Sequence, residues 1–229
     1  MAKNIRGLML LVMVFGIGTS LLVQAQRREM VRRPLPIQPR DKLHELATKA
    51  GGHFVMRYKL NRSTLYPNVE ELAKRSDVII VGRTLSHRTK LREDGNLINQ
   101  EFLVRVQEVI KGDFPNGRSI TVSMPGGSYM FPDKTFVIVE PIGRQAVENQ
   151  ATYVFFLKSP KSGSDVKEHL LTSETQGMFA LTDGRVKPSA LSKDDPVVLK
   201  YQQMGAADFL KEIHKAVPRK ERKGDATGK

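Results

Sequence analysis

A chain of 229 residues with no cysteine and a formal charge of +13 excludes several chemistries at once. Thiol catalysis, cysteine-ligated zinc, iron–sulfur clusters and a disulfide scaffold all fall away, and a chain this long buries enough apolar surface to fold without such staples. The charge sits at the ends: residues 26–43 carry +4, residues 216–229 carry +3 and Lys3 with Arg6 carry +2, which leaves the body at only +4.

At the amino end, "MAKNIRGLMLLVMVFGIGTSLLVQA" places Lys3 and Arg6 before an apolar run over residues 7–23 and closes on Val23-Gln24-Ala25. That is the three-part layout of a secretory signal peptide, with cleavage near Ala25. The competing reading is a retained membrane anchor, because the run approaches the length that spans a bilayer. The chain is therefore expected to be exported to the periplasm or beyond, or else to be anchored by its amino end. Residues 26–40 end in "RRPLPIQPR", whose prolines favour extended chain and break helices, so they read as a basic, Pro-rich linker. Within residues 41–76, "DKLHELATKAGG" has helical spacing and a Gly51-Gly52 stop, while "NVEELAKRSD" offers Asn68 as cap with Glu71 three residues on. This segment is expected to be helical.

Strand signals fill residues 77–190. "VIIVGRTL" is β-branched with Gly82 inside it, where a bulge or tight bend is expected. "EFLVRVQEV" alternates Phe102, Val104 and Val106 with Leu103, Arg105 and Gln107, and "SITVSM" repeats the device with Ile120, Val122 and Met124. "KTFVIVEP" is a further strand, and "TYVFFLKS" is apolar on both faces, as a fully covered strand would be. Asp183-Gly184 marks a hairpin. Five to seven short strands at this spacing predict a barrel or sandwich. Over residues 191–217, Asp195 before Pro196 caps one helix, and Phe209, Leu210, Ile213 and Val217 give an amphipathic helix whose apolar stripe is expected to close one mouth of the barrel. Residues 218–229 read as a basic, disordered tail.

The order "RSDVIIVGRTLS", "FLVRVQEVIKGDFPNGRSITVSMPGG", "ATYVFFLKS" and "QGMFALTDGRVKP" resembles a group of uncharacterised exported bacterial proteins. That pattern is similar in turn to the small five-stranded barrel of oligonucleotide/oligosaccharide-binding (OB) folds and of netrin-like modules, including tissue inhibitors of metalloproteases. The resemblance implies a mainly β, α+β protein: an OB-like barrel of five to seven strands with flanking helices. Those inhibitors act through a disulfide-bonded cysteine edge, which this chain lacks, so their mechanism does not carry over.

No motif assigns catalysis. "KGDFPNG" and "PGG" do not run into a helix start with lysine and hydroxyl, so they are not a phosphate cradle. His44, His53, His87, His169 and His214 are scattered, without the spacing of a zinc hydrolase. The acidic pairs Glu70-Glu71, Glu93-Asp94 and Asp194-Asp195 read as helix-start carboxylates and a hairpin tip rather than as an acid and base. No catalytic residue, metal ligand or cofactor is assigned. The expected function is a non-enzymatic binding or interaction module of the cell envelope. Its alternatives are an unrecognised hydrolase, or an OB-type binder in which Tyr129 and Phe131 stack bases beside Lys134, Arg105 and Arg118. The candidate contact surface is the loop holding Pro125, Gly126, Gly127, Tyr129, Met130 and Phe131. The expected partner is an envelope protein or anionic polymer. Membrane contact would run through the basic tails or an uncleaved amino end, and nucleic acid is disfavoured by export.

Overall fold

Residues 42–62, 65–114, 117–160, 168–191 and 194–218 are described by the structure, a computed structural model. The expected signal peptide, the basic linker and the tail beyond Pro218 lie outside them. In chain order the elements are α1 (Lys42–Lys49), β1 (His53–Lys59), α2 (Val69–Arg75), β2 (Val78–Leu91), β3 (Ile98–Lys111), β4 (Ser119–Pro125) and β5 (Gly127–Met130). They continue with β6 (Phe136–Ile142), β7 (Thr152–Lys158), β8 (Glu168–Leu171), β9 (Met178–Thr182), β10 (Arg185–Pro188), α3 (Pro196–Tyr201) and α4 (Ala206–Ala216).

Seven strands form one sheet in the order β10-β9-β7-β2-β3-β4-β8, and β8 also pairs with β7. That last pairing closes β7, β2, β3, β4 and β8 into a ring. The contacts within the ring are antiparallel except for the parallel β4–β8 pair. A three-strand meander followed by two strands that return to its opposite edges is the connectivity of an OB-type barrel, so the mainly β, α+β expectation holds. Gly82 sits at a register shift between β2 and β3, where an added Cβ would meet Val104 Cγ1 at 2.4 Å. The expected bulge is therefore present, and close strand approach requires its glycine.

Alternation sorts the barrel side chains. Ile80, Phe102, Val104, Val106, Ile120, Val122, Met124, Tyr153, Phe155 and Leu157 fill the interior. Ile79, Val81, Val154 and Phe156 point outward and are buried with Leu72 of α2, Val197 and Tyr201 of α3, and Phe209 and Ile213 of α4. The two faces of β7 thus belong to different cores, which explains why its sequence is apolar throughout. The carboxyl-terminal helix has the expected apolar stripe, but it lies on the outer wall of the barrel rather than across its mouth. The wall wins because β2, β7 and β9 present a continuous outward apolar surface that needs a cover.

Caps and turns follow local chemistry. Asn68 Oδ1 accepts from Glu71 N at 2.9 Å, and the Glu71 carboxylate turns to Lys74 Nζ at 2.9 Å. Asp195 Oδ1 accepts from Val197 N, Val198 N and the buried Gln176 Nε2. Asp183 and Gly184 have φ of 52° and 70°, the paired positive values of a tight hairpin turn between β9 and β10.

A second sheet, ordered β1-β6-β5, lies outside the ring. Here the sequence reading needs correction, because residues 41–76 are not only helical. "HFVMRYK" forms β1, which pairs in parallel with β6 from His53↔Phe136 to Lys59↔Ile142. The inward side of this sheet buries Val137, Val139 and Phe131 against Leu43 and Ala47 of α1 and Ile98 of β3.

Candidate functional site

The predicted loop at residues 125–131 is ordered chain built into both sheets. Pro125 ends β4, and its carbonyl accepts from Arg144 Nη2. Gly126 (φ +129°) donates to Ile98 O at 2.9 Å. Gly127 (φ +108°) opens β5, and a Cβ there would come within 2.6 Å of Thr89 Cγ2. The two glycines therefore serve a tight corner between barrel and small sheet, not a mobile lip.

The three side chains singled out after that corner go separate ways. Phe131 is only 3% exposed, in edge contact with Tyr129 (5.0 Å between centroids) and 4.5 Å from the His44 ring. Tyr129 is half-buried on the same core. Met130 is 66% exposed and points the other way. The expected exposure of Phe131 is thus overturned, because strand alternation puts residues 129 and 131 on the covered side. With those rings inward, they make no stacking platform for bases. On the hairpin after them, Asp133 accepts from His44 Nε2 at 2.8 Å and from Thr135, and these bonds lower its pKa to about 2.

Met130 belongs instead to the outward face of the small sheet. Register places it opposite Phe136, which lies opposite His53, with the His53 and Phe136 rings stacked at 5.6 Å. Val55 (41% exposed), Ile138 and Ile142 (48% exposed) continue this apolar surface. Arg57 and Lys59 stand along its border on β1, and among the described residues neither forms an ion pair. Glu140 is the residue across from Arg57. Among the described residues β1 pairs with β6 alone, so its other edge offers unpaired backbone donors and acceptors. The far edge of the large sheet is different. There, Val186 N donates to Met204 O, and Gln203 N to Val186 O, so a turn covers β10.

A second surface, absent from the sequence reading, lies on the outward side of β2, β3, β4 and β8. Glu101 alternates with the interior Phe102 and so faces outward, yet its side chain is 1% exposed. Arg88 Nε bonds its Oε2, and Lys90 Nζ lies 3.5 Å from its Oε1, outside hydrogen-bond geometry, and 3.2 Å from Glu168 Oε1. Burial pushes the Glu101 carboxyl up, but hydrogen bonding with Glu168 and Arg88 and the charges of Arg88 and Lys90 outweigh it, so the net shift is downward. Asn99 Oδ1 and Ser123 Oγ are buried without a hydrogen-bond partner among the described residues, while Glu101 Oε1 is held only by the longer ion pair to Lys90. A cleft of about 360 Å³ on the same side is bounded by Lys90, Arg92, Glu93, Asp94, Asn99, Glu168 and Leu170, so Asn99 is the one of these three residues that lines it.

The histidines do not assemble into a site. His87 Nδ1 lies 3.2 Å from Asn149 Oδ1, and His169 packs edge-on to Phe114 (6.3 Å) with its pKa lowered by burial. Among the described residues no three histidine or carboxylate side chains converge as a metal would require. Arg144 is a buried cation beneath the 125–127 corner, pushed down to about 10 by burial against the opposing pull of Glu174 and Tyr58. No family model matches the chain, and no curated protein matches it.

Proposed function

We propose that this chain is an exported, non-enzymatic interaction module that takes up an extended, acidic segment of an envelope protein along the free edge of β1. The observation that carries this reading is the β1 edge, which no described strand covers, flanked by Val55, Arg57 and Lys59, whereas a turn closes the β10 edge of the large sheet. Strand addition supplies affinity through backbone hydrogen bonds and selectivity through alternate side chains. The unpaired cations favour carboxylates on the incoming strand. A second copy of the chain is disfavoured as occupant, because it would bring the same cations to the edge. Export rests on the leader-like residues 1–25. Among the described residues no helix is long and apolar enough to cross a membrane.

The test is affinity capture from envelope extract with the wild type, with Arg57→Glu/Lys59→Glu and with Met130→Ala. Loss of an acidic partner only in the charge-reversed protein, with an unchanged circular dichroism spectrum, supports the edge. Equal recovery by all three proteins removes it.

A further inference from the structure

The open edge of β1 has a phase, and that phase specifies which strand can lie along it. Gly52 O accepts from Phe136 N at 2.8 Å. Backbone groups alternate along a strand, so Phe54, Met56 and Tyr58 also turn theirs to β6, and the amides and carbonyls of Val55, Arg57 and Lys59 are aimed at the open side. The same three residues present their side chains on the outward face, while Phe54, Met56 and Tyr58 are half-buried on the core of the small sheet. We propose, resting on the use of this edge by a partner, that the partner segment is an amphipathic strand antiparallel to β1. It places carboxylates opposite Lys59 and Arg57, an aliphatic residue opposite Val55, and apolar residues at the positions between.

Each part of the pattern matches one feature of the edge. Directly opposite residues of an antiparallel pair share a face, so a carboxylate facing Arg57 or Lys59 lies outward beside the cation it neutralises. On its other flank β1 already has this order, since Ile138 of β6 is across from Val55 and Glu140 is across from Arg57. The intervening side chains of the incoming strand fall inward and extend the row of Phe54, Met56 and Tyr58. The antiparallel direction is favoured because its ladder is the more stable per residue. An anionic polymer without peptide groups meets Arg57 and Lys59 but supplies neither a ladder for the edge nor apolar groups for the inward row. The chain's own ends do not fit either. The linker and the carboxyl-terminal tail are cationic, and Pro34, Pro36 and Pro39 of the linker lack the N–H that a ladder needs.

The experiment is amide chemical-shift mapping of the full chain titrated with three capped heptapeptides. The first, Glu-Val-Glu-Val-Ile-Val-Thr, has the proposed pattern. The second, Glu-Glu-Val-Val-Ile-Val-Thr, has the same composition with its carboxylates on opposite faces, and the third is the first with lysine in place of glutamate. Expected are shifts at residues 53–59 with the first peptide, an affinity about fivefold or more above that of the second, and no binding of the third. Val55→Pro deletes one outward amide without touching the β6 ladder and should weaken the first peptide about tenfold. Arg57→Glu/Lys59→Glu should weaken it through charge, and keeps the test valid if the proline variant does not fold. Equal affinity of the first two peptides at residues 53–59 overturns the pattern while leaving the edge as the binding site. No shift there with any peptide up to its solubility, equal binding of the lysine peptide, or unchanged affinity in the folded variants overturns the pattern and the edge together.

Discussion

Met130 and Phe131 are adjacent in sequence and opposite in fate. Met130→Ala is expected to leave stability within about 0.5 kcal/mol of wild type, as exposed sites do. Phe131→Ala, which opens a void among Leu43, Val137 and Val139, should cost about 3–5 kcal/mol in urea denaturation. His169 supplies a pH test. Burial depresses its pKa, so the unfolded chain binds the proton more readily and stability rises with pH up to the unfolded value near 6.5. Wild type should therefore lose stability relative to His169→Asn as pH falls below about 6.5, and parallel denaturation midpoints across that window would refute it. At this scale the sequence was legible where one neighbour decides the outcome: Asn68, Gly82, the Asp183-Gly184 turn and Asp195 all behave as their chemistry implies. Glu101 was not. Its alternation with Phe102 says outward, and outward normally means solvated; only the approach of Glu168 and Lys90 from other strands buries it.

Elements were legible where a run of alternation or a turn signal marked them. The strands β2, β3, β4, β6 and β7 each carry enough residues for a period of two to show. The four-residue β5 and β8 do not, and Pro125-Gly126-Gly127 ahead of β5 signals a loop. The seven-residue β1 alternates half-buried Phe54, Met56 and Tyr58 with exposed His53, Val55, Arg57 and Lys59, a pattern overlooked between two helix signals. For α3, the cap is bound into a buried network in which Asp195 meets Gln176, whose amide also holds Tyr66 through both its oxygen and its nitrogen. Asp195→Ala should cost about 2 kcal/mol, near the upper end for a cap, because Gln176 also loses an acceptor. A thermal midpoint within error of wild type would contradict that coupling.

At the scale of the whole molecule, three separate cores underlie one chain. The small sheet depends on residues 53–59 finding 136–142, a pairing far apart in sequence and fastened to the barrel by the 125–127 corner. Native-state hydrogen exchange should show β1 and α1 opening at lower free energy than β2, β3 and β7, as a distinct cooperative unit. Uniform protection across all of them would count against it. The ring itself is fastened unevenly. β2 and β3 run together along almost their whole length, whereas β8 holds to β7 through Leu171 and Leu170 and to β4 through residues 168–170. β8 is therefore expected to open before β2 and β3, and that strand carries both His169 toward the interior and Glu168 toward the cleft. Acid, by charging His169, is expected to loosen that fastening, so the closure of the whole ring hangs on the protonation of one imidazole in its shortest strand.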